Sequence, residues 1–139
     1  MNRSRTLRVR QLEPEEASLH ALVAAGGFEA PEEPFLQLMT ADVLRRPGVR
    51  CYLGEVDEVP VTTGLGVTVG ESVGIFNTAT PPQYRGHGFG AAVTARAVAD
   101  GLHSGARWSF LQSSPAGYGV YTRLGYSTAE LWDLWAGTS

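Results

Sequence analysis

The chain has 139 residues, of which 43% are hydrophobic and 18% charged, a balance typical of a globular domain and not of a disordered chain. Its net charge of −3 argues against general nucleic-acid binding, and its single cysteine, Cys51, excludes an internal disulfide or a cysteine metal cluster. The longest fully apolar run, Ala21–Ala25, is far too short to span a membrane. We therefore expect one domain over residues 1–139, in a reducing cytoplasm, without nucleic-acid, membrane or metal partners.

The N-terminal third predicts one strand and two helices. Residues alternate over Thr6–Leu12, which favours a strand. Proline and acidic residues open a helix over Glu13–Gly27, with Gly26 as its stop, and a second helix covers Glu32–Gly48. The side chains expected on one face of the first helix are Leu19, Leu22 and Val23.

The middle of the chain predicts three consecutive strands. Val49–Val56 and Val59–Gly70 flank a hairpin turn at Asp57–Glu58, and Ser72–Thr80 follows. Cys51 lies in the first of these strands and is expected to be a plain buried thiol. The glycines that share one face of the second strand are Gly64, Gly66 and Gly70, and that face is expected to pack closely on a helix.

The rest of the chain adds a helix at Gly88–His103, a strand at Ala106–Gln112 and a helix from Ser114 to Leu124. A last strand falls in "AELWDLWA". The order β-α-α-β-β-β-α-β-α-β predicts a mixed α/β domain with much of its sheet antiparallel. His20 and His103 fall on helices and are expected to be ordinary surface or hydrogen-bonded residues.

Three glycines alternate in "RGHGFG", Arg85–Gly90, at the start of a predicted helix. The first turn of a helix has free N–H groups and the positive end of the helix dipole. Glycines beside it remove the Cβ atoms that would keep an anion away, and Arg85 adds a charge that matches phosphate oxygens. The segment therefore predicts a phosphate-binding loop.

Known phosphate-binding motifs narrow this prediction. A P-loop needs a lysine, and the chain contains none. The dinucleotide motif G-x-G-x-x-G/A is matched by Gly86, Gly88 and Ala91, but no acidic residue follows about 20 residues later. A glycine turn that merely precedes a helix and binds nothing is the remaining alternative.

Two motifs together resemble one known family. "RGHGFG" resembles the R/Q-x-x-G-x-G/A signature of the GNAT superfamily of N-acetyltransferases, with Arg85, Gly88 and Gly90 in its places. "SSPAGYGVYTRLGY" resembles that family's second landmark, N-x-x-A-x-x-x-Y-x-x-x-G-F. The residues in its five places are Ser114, Gly117, Tyr121, Gly125 and Tyr126. The resemblance implies a central, mostly antiparallel, twisted sheet of six or seven strands flanked by about four helices.

The resemblance also implies acetyl-CoA as cosubstrate, with its pyrophosphate on the glycine loop. The pantetheine arm would pair with the end of the preceding strand, and Ser114 stands where the family has asparagine, either capping a helix or also touching that arm. The residues assigned to the cofactor in this way are Thr78, Ala79, Thr80, Arg85, Gly86, His87, Gly88, Phe89, Gly90 and Ser114. The side chain of His87 either donates to phosphate or points to solvent.

Tyr121 matches the tyrosine that, in many members of the family, protonates the departing thiolate, although packing in the core is the alternative. No acid lies on the strand before the glycine loop, so the base that deprotonates the amine stays unassigned among Glu71, Glu55 and water. For the amine acceptor, the segment "GGFEAPEEP" between the first helices offers acids and aromatic rings. Its candidates are Phe28, Glu29, Glu32, Glu33 and Phe35, with solvated acids as the alternative.

The function predicted in this way is transfer of an acetyl group from acetyl-CoA to a primary amine of a small-molecule or peptide acceptor. A CoA-binding regulatory module without turnover and an acyltransferase for longer acyl chains are the alternatives, the latter because Gly74 and Ala79 are small. The absence of lysine, with abundant arginine, alanine and glycine, suggests a GC-rich bacterial source. A homodimer is a further expectation, because dimers are common in the family.

Overall fold

A computed structural model describes residues 6–111 of the chain. Its centre is a five-stranded sheet in the order β1-β2-β3-β4-β5. The first four strands pair antiparallel, and β5 pairs parallel to β4. The strands are β1 Leu7–Gln11, β2 Val49–Val56, β3 Val59–Val69, β4 Ser72–Ala79 and β5 Trp108–Leu111. The predicted mixed α/β fold with a largely antiparallel sheet is confirmed.

The described residues form four α-helices, of which the first, third and fourth contact the sheet and the second contacts the first. They are α1 Ala17–Phe28, α2 Glu33–Leu38, α3 Ala41–Leu44 and α4 Phe89–His103. On one face, α1 and α3 cover Cys51, Leu53 and Leu65 of the central strands. On the other face, Val93 and Ala97 of α4 pack with a second buried group, Tyr52, Val73 and Ile75.

Glycines on β3 allow α4 to approach the sheet closely. A Cβ placed on Gly64 would lie 2.7 Å from a methyl group of Val93, and one on Gly66 would lie 3.4 Å from Ala97. The predicted packing of this face on a helix is confirmed at Gly64 and Gly66 but not at Gly70, where an added Cβ would meet no atom within 4 Å. A hydrogen bond also joins α4 to β2, because the Tyr52 hydroxyl donates to Asp100 at 2.7 Å.

The predicted hairpin between β2 and β3 is also confirmed. Asp57 and Glu58 both have positive φ, at 53° and 66°. A two-residue turn with two left-handed residues matches the twist of the strands that it joins. Cys51, in β2, is buried as expected, and burial raises the pKa of its thiol to about 12.

Two predicted helices differ from the observed ones. The predicted helix Glu32–Gly48 is divided into α2 and α3, because Thr40 begins a new helix and accepts a hydrogen bond from the Val43 N–H at 3.3 Å. The first helix continues two residues beyond Gly26, and Leu22 is 47% exposed. Of the other two residues predicted for its inner face, Val23 is buried and Leu19 is partly buried against the core. The buried residues of α1 are Ala17, His20, Ala21, Val23, Ala24 and Ala25.

Candidate functional site

The strand that leads into the glycine loop is bent by a bulge at Asn77. Its φ of 52° lies in the left-handed region, which asparagine tolerates better than most residues. The pairing with β3 changes register here, between Thr63 and Leu65. Because a bulge inserts one extra residue and bends its strand, the last residues of β4 leave the regular path of the sheet.

The pairing of β4 with β5 that the structure describes covers the first half of β4. The parallel pairs run from Ser72 and Trp108 to Ile75 and Leu111. Within residues 6–111, no strand pairs with that edge of β4 beyond Ile75. The three residues predicted to meet the pantetheine arm, Thr78–Thr80, therefore lie after both the bulge and the last of these parallel pairs.

A pair of threonine hydroxyls fixes the end of β4 to β3. Thr62 is fully buried and donates its one hydroxyl proton to the Ala79 carbonyl at 3.1 Å. Thr62 Oγ1 also lies 2.9 Å from Thr80 Oγ1, so Thr80 must be the donor of that second bond. The neighbouring hydroxyl of Thr78 is buried and has no partner among the described residues. The end of β4 is thus held at two points while one hydroxyl beside it stays unpaired.

The glycine loop, Arg85–Gly90, follows a short 3-10 turn at Pro82–Tyr84. Gly86 and Gly88 have φ values of 86° and 78°, which other residues adopt only with strain. Gly88 is the residue before α4, and the N–H groups of residues 88–91 make no hydrogen bond within the part of the chain that the structure describes. These N–H groups, at the positive end of a 15-residue helix, form an anion-binding arrangement.

Space beside the loop is open where the glycines lie. A Cβ added to Gly86 or to Gly88 would meet no atom within 4 Å. A Cβ on Gly90 would lie 3.4 Å from Thr80 Oγ1, which brings the loop against the end of β4. The side chain of His87 is exposed and its ring lies 5.3 Å, centroid to centroid, from that of Phe89. The structure therefore brings the predicted cofactor residues from β4 and from the loop together.

Arg85 lies in this site but its guanidinium contacts the protein's own main chain. Nε donates to the Thr80 carbonyl at 2.9 Å, and Nη2 donates to the Gly27 carbonyl at 2.7 Å. Nη1 lies 3.7 Å from a carboxylate oxygen of Glu29. The sequence motif suggested a phosphate contact for Arg85 and gave no signal for this bridge to α1.

Of the two expectations for His20, a surface residue or a hydrogen-bonded one, the structure shows a buried residue with a hydrogen bond at one ring nitrogen. His20 is fully buried, and its Nδ1 lies 2.7 Å from Thr63 Oγ1. Thr63 gives its own proton to the Tyr52 carbonyl at 2.8 Å, so Nδ1 must carry the proton that joins the two side chains. Nε2 then bears a lone pair without a partner among the described residues, and burial lowers the pKa of His20 to about 4. His103 is exposed at the end of α4.

The segment between the first helices lies on the other side of the Arg85 bridge. The rings of Phe28 and Phe35 are stacked, with centroids 5.8 Å apart and planes 7° from parallel. An open concavity of about 450 Å³ lies where α1 ends. Its lining residues are Leu22, Ala25, Gly26, Glu29, Ala30, Pro31 and Glu32. Of the five predicted acceptor candidates, Glu29 and Glu32 line this concavity. Phe28 and Phe35 stack on each other.

The structure also bears on the two carboxylates considered as the general base and on the space considered for a longer acyl chain. Glu71 precedes β4, at the opposite end from Thr80, and Glu55 is held by Arg10 at 3.2 Å. Neither carboxylate lies beside the glycine loop. The space expected at Gly74 is filled, because a Cβ there would lie 2.7 Å from ring atoms of Phe76 and Phe110.

Ser114 and Tyr121 lie outside the described residues. Within residues 6–111, no group of three histidine, cysteine or carboxylate side chains is placed to hold a metal ion. No helix in that range has the length and apolar character needed to cross a bilayer.

A mixed sheet whose bulged fourth strand ends beside a glycine loop defines this chain as an α/β domain. The chain belongs to the acetyltransferase (GNAT) family, whose model matches residues 9–126. This confirms the resemblance drawn from the two sequence motifs. A comparison with curated protein sequences finds no significant match.

Solved structures show the same fold at low sequence identity. An acetyltransferase from Trypanosoma brucei is 22% identical, with 91% of this chain and 96% of that one covered and a TM-score of 0.74. The aminoglycoside N-acetyltransferase AAC(6')-Iy in complex with CoA is 16% identical, with 95% of each chain covered and a TM-score of 0.79. A predicted acetyltransferase with acetyl-CoA from Clostridium acetobutylicum is 15% identical, covers 96% and 100%, and has a TM-score of 0.75.

Proposed function

We propose that this protein transfers the acetyl group of acetyl-CoA to a primary amine of a small-molecule or peptide acceptor. The observation that carries the proposal is the glycine loop, which leaves the N–H groups of residues 88–91 without partners at the start of α4. In a chain of the acetyltransferase (GNAT) family, this loop is where the pyrophosphate of CoA would bind. Two similar folds are described as complexes with CoA or acetyl-CoA, which supports CoA as the cosubstrate.

The end of β4 is proposed to hold the pantetheine arm. Residues 78–80 lie between the bulge and the glycine loop, so their backbone can pair with an extended ligand that enters along this edge. An N–H of the same stretch would donate to the thioester carbonyl and stabilise the oxyanion formed on attack. Ser114 is proposed to lie near this arm on the basis of the sequence motif.

The reaction itself is proposed to be a direct attack within a ternary complex. The neutral amine attacks the thioester carbon, the carbon–sulfur bond breaks, and the thiolate takes a proton that Tyr121 is proposed to donate. The amine nitrogen is proposed to lose its own proton to solvent, since β4 contains no acid and the carboxylate near the loop, that of Glu29, pairs with Arg85. Cys51 is buried with a raised pKa, which argues against a covalent acetyl-enzyme on that thiol.

A cationic amine fits the acceptor side best. The concavity is lined by Glu29 and Glu32, and the same segment of the chain carries the stacked rings of Phe28 and Phe35. Acids beside aromatic faces attract an ammonium group. The aminoglycoside N-acetyltransferase among the similar folds makes an aminoglycoside one member of the acceptor panel. We also place the protein in a bacterial cytoplasm and expect a homodimer, as the sequence suggested.

One observation favours a second candidate, a CoA-binding module without turnover. β4, Ser72–Ala79, contains no acid, so the strand supplies no general base. The filled space at Gly74 weighs against the third candidate, a preference for longer acyl chains.

Release of free CoA thiol from acetyl-CoA over a panel of amines separates these candidates. We expect amine-dependent release with at least one cationic acceptor and slower release with octanoyl-CoA. CoA binding without release for any amine would favour the regulatory module, and faster release from octanoyl-CoA would favour the long-chain enzyme.

A further inference from the structure

The guanidinium of Arg85 binds one carbonyl that lies 5 residues earlier in the chain and another that lies 58 residues earlier. One donor binds the Thr80 carbonyl at the end of β4, and another binds the Gly27 carbonyl in the last turn of α1. An arginine that binds two carbonyls in this way fixes the distance between them, because its donors project from one rigid plane. The glycine loop and the end of α1 are therefore joined by a single side chain.

The Gly27 carbonyl, one of the two that Arg85 binds, is not used by the hydrogen bonds that end α1. The Ala30 N–H donates to Ala25 O at 2.9 Å and the Glu29 N–H to Gly26 O at 3.3 Å, which together close the end of the helix. Gly27 O takes no part in that pair of bonds and accepts from Arg85 instead. A cation at this place also lies at the negative end of the helix dipole.

The same end of α1 is in direct contact with the end of β4. A Cβ on Gly27 would lie 2.6 Å from Ala79 Cβ and 2.9 Å from the Thr80 nitrogen, and one on Gly26 would lie 3.3 Å from Pro81. The two backbones are thus packed as closely as glycine permits. A displacement at the end of β4 must be passed to α1, and the reverse is equally true.

Glu29 occupies a position that usually favours glycine or asparagine. It is the left-handed residue after α1, with a φ of 54°. Its carboxylate lies 3.7 Å from Arg85 and also lines the concavity next to Phe28. With 66% of the Glu29 side chain exposed, this ion pair contributes little by itself, and the carbonyl bond carries most of the bridge.

We propose that Arg85 is a positioning residue that couples CoA binding at the glycine loop to the α1–α2 segment, Glu29–Glu32, where the acceptor is expected. CoA on the loop holds Arg85 in its bridging position and so orders the segment. By linkage, an acceptor bound to the segment strengthens CoA binding by the same factor. The inference rests on the proposed acetyl transfer, since it names the two sides of that reaction.

The competing hypothesis is that Arg85 contacts the phosphate directly. Substitution of Arg85 by lysine distinguishes this hypothesis from the positioning role. Arg85→Lys keeps the positive charge but loses the planar fork that reaches both carbonyls. Arg85→Met keeps the aliphatic chain and removes every donor. Arg45→Met is the matched control, because Arg45 is about as exposed as Arg85 (52% against 49%) but pairs with the carboxylates of Glu15 and Asp42.

Amide hydrogen exchange of the full chain, with and without CoA, tests the proposal. Without CoA, we expect the Glu29 and Ala30 amides to exchange about tenfold faster in both Arg85 variants, the effect of losing a charge-assisted hydrogen bond at a partly exposed site. With CoA, the wild type should show slower exchange across Glu29–Glu32, and both Arg85 variants should lose that protection. The Arg45 control should match the wild type throughout.

Two outcomes would overturn the proposal. Wild-type exchange in both Arg85 variants would show that the bridge orders nothing. Full CoA-induced protection in Arg85→Lys, with loss in Arg85→Met, would show that charge acts directly on phosphate. Calorimetry with CoA is run in parallel: a wild type that binds no CoA would refute the proposed function and the coupling with it. The exchange rates without CoA would still decide whether the bridge exists.

Discussion

The buried His20 makes the stability of this protein depend on pH in a predictable direction. Burial lowers the pKa of His20 from 6.5 to about 4, because the fully buried ring cannot be hydrated when it is charged. The folded state therefore favours the neutral ring more than the unfolded state does. Stability from this group is fully present above pH 6.5 and is lost as the pH falls toward 4.

The size of the effect follows from the same pKa. A tenfold difference in proton affinity is worth about 1.4 kcal/mol, so the full loss on acidification is on the order of 3 kcal/mol. At pH 5 the loss relative to pH 8 is roughly 2 kcal/mol, a large share of the stability of a small domain. Because Thr63 pairs with Ala79 in the sheet, the protonated ring would also disturb the residue opposite the end of β4.

Urea unfolding between pH 5 and pH 8 measures this loss. Carboxylates such as Glu16 also change stability with pH, since the Arg10 guanidinium lowers the pKa of that carboxyl. The decisive quantity is therefore the difference between wild type and His20→Gln, which has no imidazole to protonate. We expect that difference to change by roughly 2 kcal/mol over this range, and the exposed His103→Gln control to follow the wild type. Parallel wild-type and His20→Gln curves would refute the burial argument.

Two further predictions concern packing and catalysis. Gly27→Ala should lower the free energy of unfolding by about 1–3 kcal/mol in a urea titration, because its methyl group would overlap Ala79; a more stable variant would contradict the close packing. Tyr121→Phe should lower kcat about 10²–10⁴-fold with little change in CoA affinity or melting temperature if the phenol protonates the thiolate. Wild-type turnover in steady-state assays would remove that role.

The strands were predictable because their signals are local. The turn at Asp57–Glu58 lies between two β-branched runs, and the glycine face of β3 follows from alternation alone. α1 was predicted less well, since its sequence, Ala17–Phe28, is apolar on nearly every side and periodicity could not choose its buried face. Gly26 resembled a helix stop, but it is glycine because Pro81 lies 3.3 Å from where its Cβ would be.

The division of the second predicted helix did carry a signal. Thr40 before Ala41 and Asp42 is a normal helix start, and its hydroxyl accepts the Val43 N–H. In the candidate site, by contrast, one contact gave no signal in the sequence. The glycine motif located the loop with positive φ before α4, but the bridge from Arg85 to Gly27 joins residues that only the folded chain brings together.

The central claim is that the glycine loop holds CoA, and Gly88→Ala tests it with Gly70→Ala as a matched control. Both glycines have positive φ, at 78° and 58°, and a Cβ on either meets no atom within 4 Å. The backbone strain of the two variants should therefore be similar, whereas only Gly88 lies beside the free N–H groups of α4.

Calorimetric titration of CoA into the three proteins is the most direct measurement. We predict that the wild type and Gly70→Ala bind with equal affinity, and that Gly88→Ala binds at least about tenfold more weakly, a loss of about 1.4 kcal/mol. Equal binding by Gly88→Ala and the wild type, or no heat of binding with the wild type at millimolar CoA, would contradict the claim.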